Sequence, residues 1–241
     1  MYNTILGLIK RIVYRSKVYL RFVLLCVLPS RRQSIISDFH RLYYDSRLSG
    51  GTWGSTAFLG IPVQKCPLDL FTYQEILWDI KPDLIIECGT AHGGGALFLA
   101  SICNSMGCGH VVTIDITELE DRPEHPRISY LLGSSVSVEV VDQVKKHIQG
   151  KNSILVILDS DHRKEHVLEE LRIYHPFVTR GSYLIVEDTN VNGHPVYPEH
   201  GPGPMEALQV FLGECEKFEV DKSREKHYLT FNPGGYLRRC R

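Results

Sequence analysis

From Leu68 onward, short continuous apolar runs alternate with stretches in which apolar residues recur every three or four positions. The runs "LIIEC", "HVVTIDI", "RISYLL", "SILVIL" and "GSYLIV" predict strands, several buried on both faces. Between them, "LDLFTYQEILWDI" predicts a helix with Asp69 as N-cap and Phe71, Ile76, Leu77 and Ile80 on its apolar stripe. Further helices are predicted over Ala96 to Met106, over Val136 to Ile148 (Val140, Val141, Val144, Ile148), around Val167, Leu168, Leu171 and Tyr174, and around Met205, Leu208, Phe211 and Cys215. "FEVD" and "HYLTFNPGGYL" close the chain as strands. Alternation of this kind predicts an α/β fold, a mostly parallel sheet with helices on both faces.

The first 50 residues break this pattern and read as a basic, apolar helical extension, leaving 51–241 as the main domain. Lys10, Arg11, Arg15, Lys17, Arg21, Arg31 and Arg32 precede the first acid, Asp38. The net charge of -1 therefore hides an acidic domain behind a basic segment, and offers no electrostatic footprint for nucleic acid. The longest uncharged apolar run there, Phe22 to Leu28, is far short of the roughly 20 residues a membrane-crossing helix needs. Two readings follow: a helix that packs on the domain or on a partner subunit of a homo-oligomer, or an amphipathic segment lying on an anionic membrane surface. The seven cysteines (26, 66, 88, 103, 108, 215, 240) form no CxxC pair, which fits reduced thiols in a cytoplasmic protein, at most peripheral to the inner face of a membrane.

In a parallel sheet, ligands bind beyond the carboxyl ends of the strands. Here those ends carry Glu87, Asp115, Ser134, Asp159, Glu187 and Asp188. The first opens the turn Glu87-Cys88-Gly89-Thr90-Ala91-His92-Gly93-Gly94-Gly95, whose glycines allow close approach of a ligand. An acid at its head disfavours a pyrophosphate and suits a cationic ligand such as S-adenosylmethionine. Glu87, Gly89, Ala91, His92 and Gly93 are the expected cofactor contacts, with Asp115 for the ribose hydroxyls, Ser134 or Ser135 for the adenine, and Asp159 near the reacting end.

"ILDSDH" and "IVEDTN" bring Asp159, Asp161, Glu187 and Asp188 to neighbouring strand ends. Oxygen donors without a cysteine or histidine pair suit Mg²⁺ or Mn²⁺. Such an ion would bind a substrate hydroxyl and lower its pKa, and His162 is placed to take the proton. The loop from Asn192 to Pro204 is a candidate substrate lid.

"TWGSTAFLGIPVQKCPLDLFTYQEIL", "PDLIIECGTAHGGGALFLA", "VILDSDHRKEHVLEELRIYHPFVTRGSYLIVEDTNVNG" and "NPGGYLRR" together resemble the cephalosporin hydroxylase / rhamnosyl O-methyltransferase family. The resemblance runs from about Trp53 to Leu237 and implies a Rossmann-like class I methyltransferase, with a seven-stranded sheet whose last strand is antiparallel. It also implies metal ligands at Asp159, Glu187 and Asp188, with Asp161 competing for the same role. The activity implied is Mg²⁺-dependent methyl transfer from S-adenosylmethionine to a hydroxyl of a sugar, glycan or glycosylated metabolite. Two alternatives are an NAD-dependent sugar dehydrogenase or epimerase, and a non-catalytic membrane-associated binding protein on the same fold. No iron triad of two histidines and a carboxylate stands at recognisable spacing.

Overall fold

A computed structural model describes residues 2–241. Seven strands form one sheet in the order β5-β4-β3-β6-β7-β9-β8. They are β3 (Leu84–Cys88), β4 (Val111–Asp115), β5 (Ile128–Leu132), β6 (Ile154–Leu158), β7 (Tyr183–Val186), β8 (Phe218–Val220) and β9 (Tyr236–Arg239). Neighbours from β5 through β7 pair in parallel, and β9 runs antiparallel to both β7 and β8. Every residue of β3, β6 and β7 is buried, which is why these strands read as unbroken apolar runs rather than alternating ones.

Strand residues divide between two cores. Leu84, Ile86 and Cys88 of β3 face α5 (Val138–Ile148), α6 (Lys164–Tyr174) and α7 (Pro204–Glu214), through Val140, Val144, Leu171, Leu208 and Phe211. Ile85 points the other way, to α3 (Pro67–Ile80) and α4 (Gly94–Met106), through Tyr73, Ile76, Leu99 and Cys103. The period of two along a strand thus supplies both layers.

The ends of these helices have local causes. Ser137 caps α5, its side chain accepting from the Val140 N–H. Pro204 opens α7, and the Glu206 carboxylate reaches back to the Gly203 N–H at 2.7 Å. α3 differs from expectation: its N-cap is Cys66 and Pro67 is its first residue, so Asp69 lies inside the first turn and is buried. The expected C-terminal strand is also shorter, because Pro233, Gly234 and Gly235 make a turn and only Tyr236–Arg239 joins the sheet.

A two-stranded hairpin, β1 (Ala57–Phe58) and β2 (Ile61–Pro62), precedes α3. It lies against the start of α4: a Cβ on Gly94 would come within 2.3 Å of the Pro62 carbonyl oxygen. The segment that follows brings Lys65 to Asp159 and Glu187, just beyond the carboxyl ends of β6 and β7.

By its internal contacts the chain divides into one unit ending at Leu42 and a second from Tyr43 to Arg241. The first consists of α1 (Tyr2–Val27) and most of α2 (Pro29–Asp45), with Pro29 at the break between them. Ile12, Val13, Tyr14, Tyr19, Leu20, Phe22, Leu24 and Val27 of α1 are exposed. Among the described residues, no helix is long and apolar enough to cross a membrane.

Candidate active site

The glycine turn sits where β3 hands over to α4. Gly89 adopts φ +98°, and a Cβ there would lie 1.9 Å from the Asp159 carbonyl oxygen, so the turn and the end of β6 approach as only glycine allows. Ala91 also lies at positive φ, and His92 is exposed beside it. Asp115, at the end of β4, organises this turn from below. Its Oδ2 accepts from the Thr90 and Ala91 N–H groups at 3.1 and 2.8 Å, and Arg122 pairs with the same oxygen at 3.2 Å.

A cavity of about 270 Å³ opens next to this turn, lined among others by Gly89, Asp115, Ser134, Ser135, Ser160 and Asp161. It runs across the ends of β3, β4, β5 and β6. At its base lies a polar group that sequence reasoning did not single out. Glu170, fully buried on α6, accepts from Ser135 and from Ser160, the latter at 2.7 Å, and His166 pairs with the same oxygen at 3.4 Å. The only trace of it in the sequence is the spacing of His166 and Glu170 one helical turn apart. Its serines come from two other strand ends.

Glu87 is 1% exposed, and its carboxylate accepts from Thr113 at 2.7 Å. Burial pushes its pKa up to about 7, against the pull of the Lys65 ammonium. Lys65, also unassigned by sequence reasoning, is the cation of this site. Its ammonium enters from the segment after β2 and pairs with both Asp159 and Glu187. Burial alone would favour the neutral amine, but Asp159, Glu187 and Glu87 together hold it charged and raise its pKa. Nothing nearby in sequence marks this lysine, since its partners lie on β6 and β7.

The four expected metal acids take separate positions. Single donor atoms of Asp159, His162 and Asp188 lie within 4.8 Å of one another. His162 Nε2 stands 3.1 Å from Asp188 Oδ2. Glu187 lies beside this group, tied to Lys65. Asp161 faces Arg163, whose Nε is 2.9 and 3.0 Å from its two oxygens; those hydrogen bonds hold its pKa down at about 2. Burial raises the pKa of Asp159, Glu187 and Asp188. It would lower that of His162, yet Asp188, Asp159 and Glu187 hold the imidazole above its ordinary value. Asp188 keeps φ +52°, a costly conformation for a non-glycine residue, and its N–H donates to Asn232 Oδ1 at 3.1 Å.

Two half-buried carboxylates converging beside an imidazole in an acid-rich corner fit a small divalent cation: hard oxygen donors, excess negative charge, and raised carboxylate pKa values that a cation would offset.

Residues 51–240 match the family described as Rhamnosyl O-methyltransferase/CmcI. The chain belongs to that family. It is 37% identical over 212 residues to a rhamnosyl O-methyltransferase of Mycobacterium leprae, covering 85% of this chain and 90% of the relative. A second rhamnosyl O-methyltransferase, from Mycobacterium bovis, is 36% identical over 213 residues, covering 85% and 84%. Membership of the rhamnosyl O-methyltransferase/CmcI family makes the chain an S-adenosylmethionine-dependent O-methyltransferase. Among solved structures, the Mg-SAM form of CmcI-D160 aligns with TM-score 0.61 at 19% identity, covering 78% of each chain. The apo form of CmcI-N160 aligns with TM-score 0.59 at 20% identity, covering 78% of this chain and 77% of that one. These two likenesses are of fold, and they bear out the seven-stranded class I sheet expected from the sequence.

Proposed function

We propose that this member of the family is a Mg²⁺-dependent O-methyltransferase whose acceptor is a hydroxyl of a sugar or of a glycosylated metabolite. The observation that carries the reading is the adjacency of two sites. The cavity lined by Gly89, Asp115, Ser134 and Ser160 adjoins the end of β6, where Asp159, the residue before Ser160, joins the convergence with His162 and Asp188. A methyl donor in the first would meet an acceptor hydroxyl at the second. The family name and the curated relatives support the sugar acceptor.

Glu87 and Asp115 are the carboxylates placed for the donor's ammonium and ribose, with Gly89, Ala91, His92 and Gly93 forming the turn around it and Ser134 and Ser135 at the adenine end. Asp159 and Asp188, with Glu187 beside them, would hold the cation, and Asp161 pairs with Arg163. When bound, the cation supplies positive charge that lowers the pKa of an acceptor hydroxyl and offsets the carboxylate field on His162. His162 then takes the hydroxyl proton, and the acceptor oxygen forms its bond to the methyl carbon as the carbon–sulfur bond breaks.

The reading extends to α1. Its basic residues and exposed apolar residues suit contact with an anionic membrane surface.

The test is calorimetric titration with S-adenosylhomocysteine, with and without Mg²⁺, using NAD as control, on wild type and Asp159→Ala. Wild type is expected to bind the adenosyl ligand and not NAD. Asp159→Ala is expected to keep that binding while losing at least about a hundredfold in metal-dependent methyl transfer. Full activity of Asp159→Ala would overturn the metal assignment, and NAD binding would overturn the cofactor.

A further inference from the structure

Glu170 of α6 is fully buried and has no part in the roles assigned above. Its Oε1 is a shared acceptor. The Ser135 hydroxyl donates to it from the turn after β5, and the Ser160 hydroxyl donates to it at 2.7 Å from just past the end of β6. His166 Nε2 stands 3.3 and 3.2 Å from the same two hydroxyl oxygens and 3.4 Å from Glu170 Oε1. A serine hydroxyl has one hydrogen and two lone pairs. With both hydrogens turned to the carboxylate, the imidazole nitrogen among these oxygens is a donor as well, and toward the cavity the two serines present lone pairs only. Ser135, Ser160 and His166 all line that cavity, and Ile116, 75% exposed, adds an apolar wall.

We infer that Glu170 is a positioning residue that fixes the hydrogen-bond polarity of the cavity: by holding the hydrogens of Ser135 and Ser160 it makes their oxygens acceptors, and so selects a purine with an amino group over one with a carbonyl at the same position. This rests on the cofactor placement proposed above, which puts the adenine at Ser134 and Ser135. Adenine carries an exocyclic NH₂ that donates, whereas the same ring with a 6-oxo group carries an oxygen that accepts. A carbonyl facing two lone pairs finds no hydrogen. Turning a serine to meet it takes a donor away from a buried carboxylate oxygen. Either way the wrong base leaves a polar group unpaired, a mismatch that discriminates more strongly than a change of shape. The device is held in place from the same helix: the buried Tyr174, one turn beyond Glu170, donates its hydroxyl to the Ser135 carbonyl at 2.7 Å.

The experiment is calorimetric titration of the full-length protein with S-adenosylhomocysteine and with S-inosylhomocysteine, its 6-oxo analogue, on wild type, Glu170→Met and Glu170→Gln. Wild type is expected to bind the adenosyl ligand at least about tenfold more tightly than the inosyl one. Glu170→Met, of similar length but without an acceptor oxygen, frees both hydroxyls to donate and is expected to bring that ratio below about threefold. Glu170→Gln, whose amide oxygen still accepts, is expected to keep most of the preference. A merely structural role for Glu170 would weaken both ligands alike and leave the ratio unchanged in Glu170→Met, which would overturn the inference. Equal binding of the two ligands by wild type would overturn it too, while the cofactor placement stands. If wild type binds neither, the cofactor placement fails and the inference with it. Should Glu170→Met not fold, Ser135→Ala combined with Ser160→Ala removes both acceptors. A ratio below about threefold in that variant supports the inference, and the wild-type ratio overturns it.

Discussion

Asp69 carries a carboxyl group, 2% exposed, between α3 and the C-terminal segment. Its oxygens accept from the Phe231 N–H and the Tyr236 hydroxyl, each at 2.8 Å. Burial, only partly offset by these donors and by Thr230, pushes its pKa up to about 7. In the unfolded chain the same acid ionises near 4. Between those values the folded state binds more protons, so this group's contribution to stability falls as pH rises from about 4 to 7. Asp69→Asn removes the titration and misdirects an NH₂ toward one of two donors, at a cost of about 1–3 kcal/mol. Denaturant melts across this range should therefore show the advantage of wild type over Asp69→Asn largest near pH 4 and shrinking toward pH 7. An advantage independent of pH would contradict the assignment.

At this scale the legible residues were those at strand ends. Glu87, Asp115, Ser134, Asp159 and Asp188 each close an apolar run, and the topology then gathers them on one rim. Lys65, His166 and Glu170 carried no such mark. Lys65 meets carboxylates 94 and 122 positions away, and Glu170 meets a serine 35 positions earlier. Those contacts depend on how the hairpin and α6 dock, which local pattern does not encode.

Elements were legible in kind and less so at their ends. The helix at Leu68 was expected to start from Asp69 because an acid before an apolar stripe is a common cap; Pro67 instead opens it and Asp69 is spent on tertiary contacts. The run from His227 read as a strand, but Thr230 and Asn232 form a side-chain network. Asn232 donates to the Tyr73 hydroxyl and accepts from the Asp188 N–H, and the glycine pair then turns the chain into β9. In α1, Lys10, Lys17 and Arg21 recur at spacings of seven and four and so share one stripe, while Ile12, Leu20 and Val27 lie toward another. Full-length protein is expected to sediment with vesicles containing phosphatidylglycerol and not with pure phosphatidylcholine, and Lys10→Glu combined with Lys17→Glu and Arg21→Glu should lose most of that binding. Equal binding to both vesicle types, or none to either, would contradict the membrane proposal.

On the scale of the whole molecule, alternating strands and helices follow from patterns visible in the chain, and from them the shared rim follows too, while the reversed strand at the end was implied by the family resemblance alone. What the rim does depends on charge. Glu87, Asp159, Glu187 and Asp188, gathered in one corner, repel one another when ionised, and Lys65 offsets part of that repulsion. The cavity of about 270 Å³ beside it is where the proposed reading puts the methyl donor, and family membership supplies the chemistry, methyl transfer. The most direct measurement is transfer of labelled methyl from S-adenosylmethionine to a rhamnoside acceptor by the purified protein, run with Mg²⁺ and with EDTA. The account predicts a methylated sugar hydroxyl with Mg²⁺ and a loss of at least about a hundredfold in rate with EDTA. Equal transfer in EDTA, or a methyl group found on a non-sugar position of the acceptor, would contradict it.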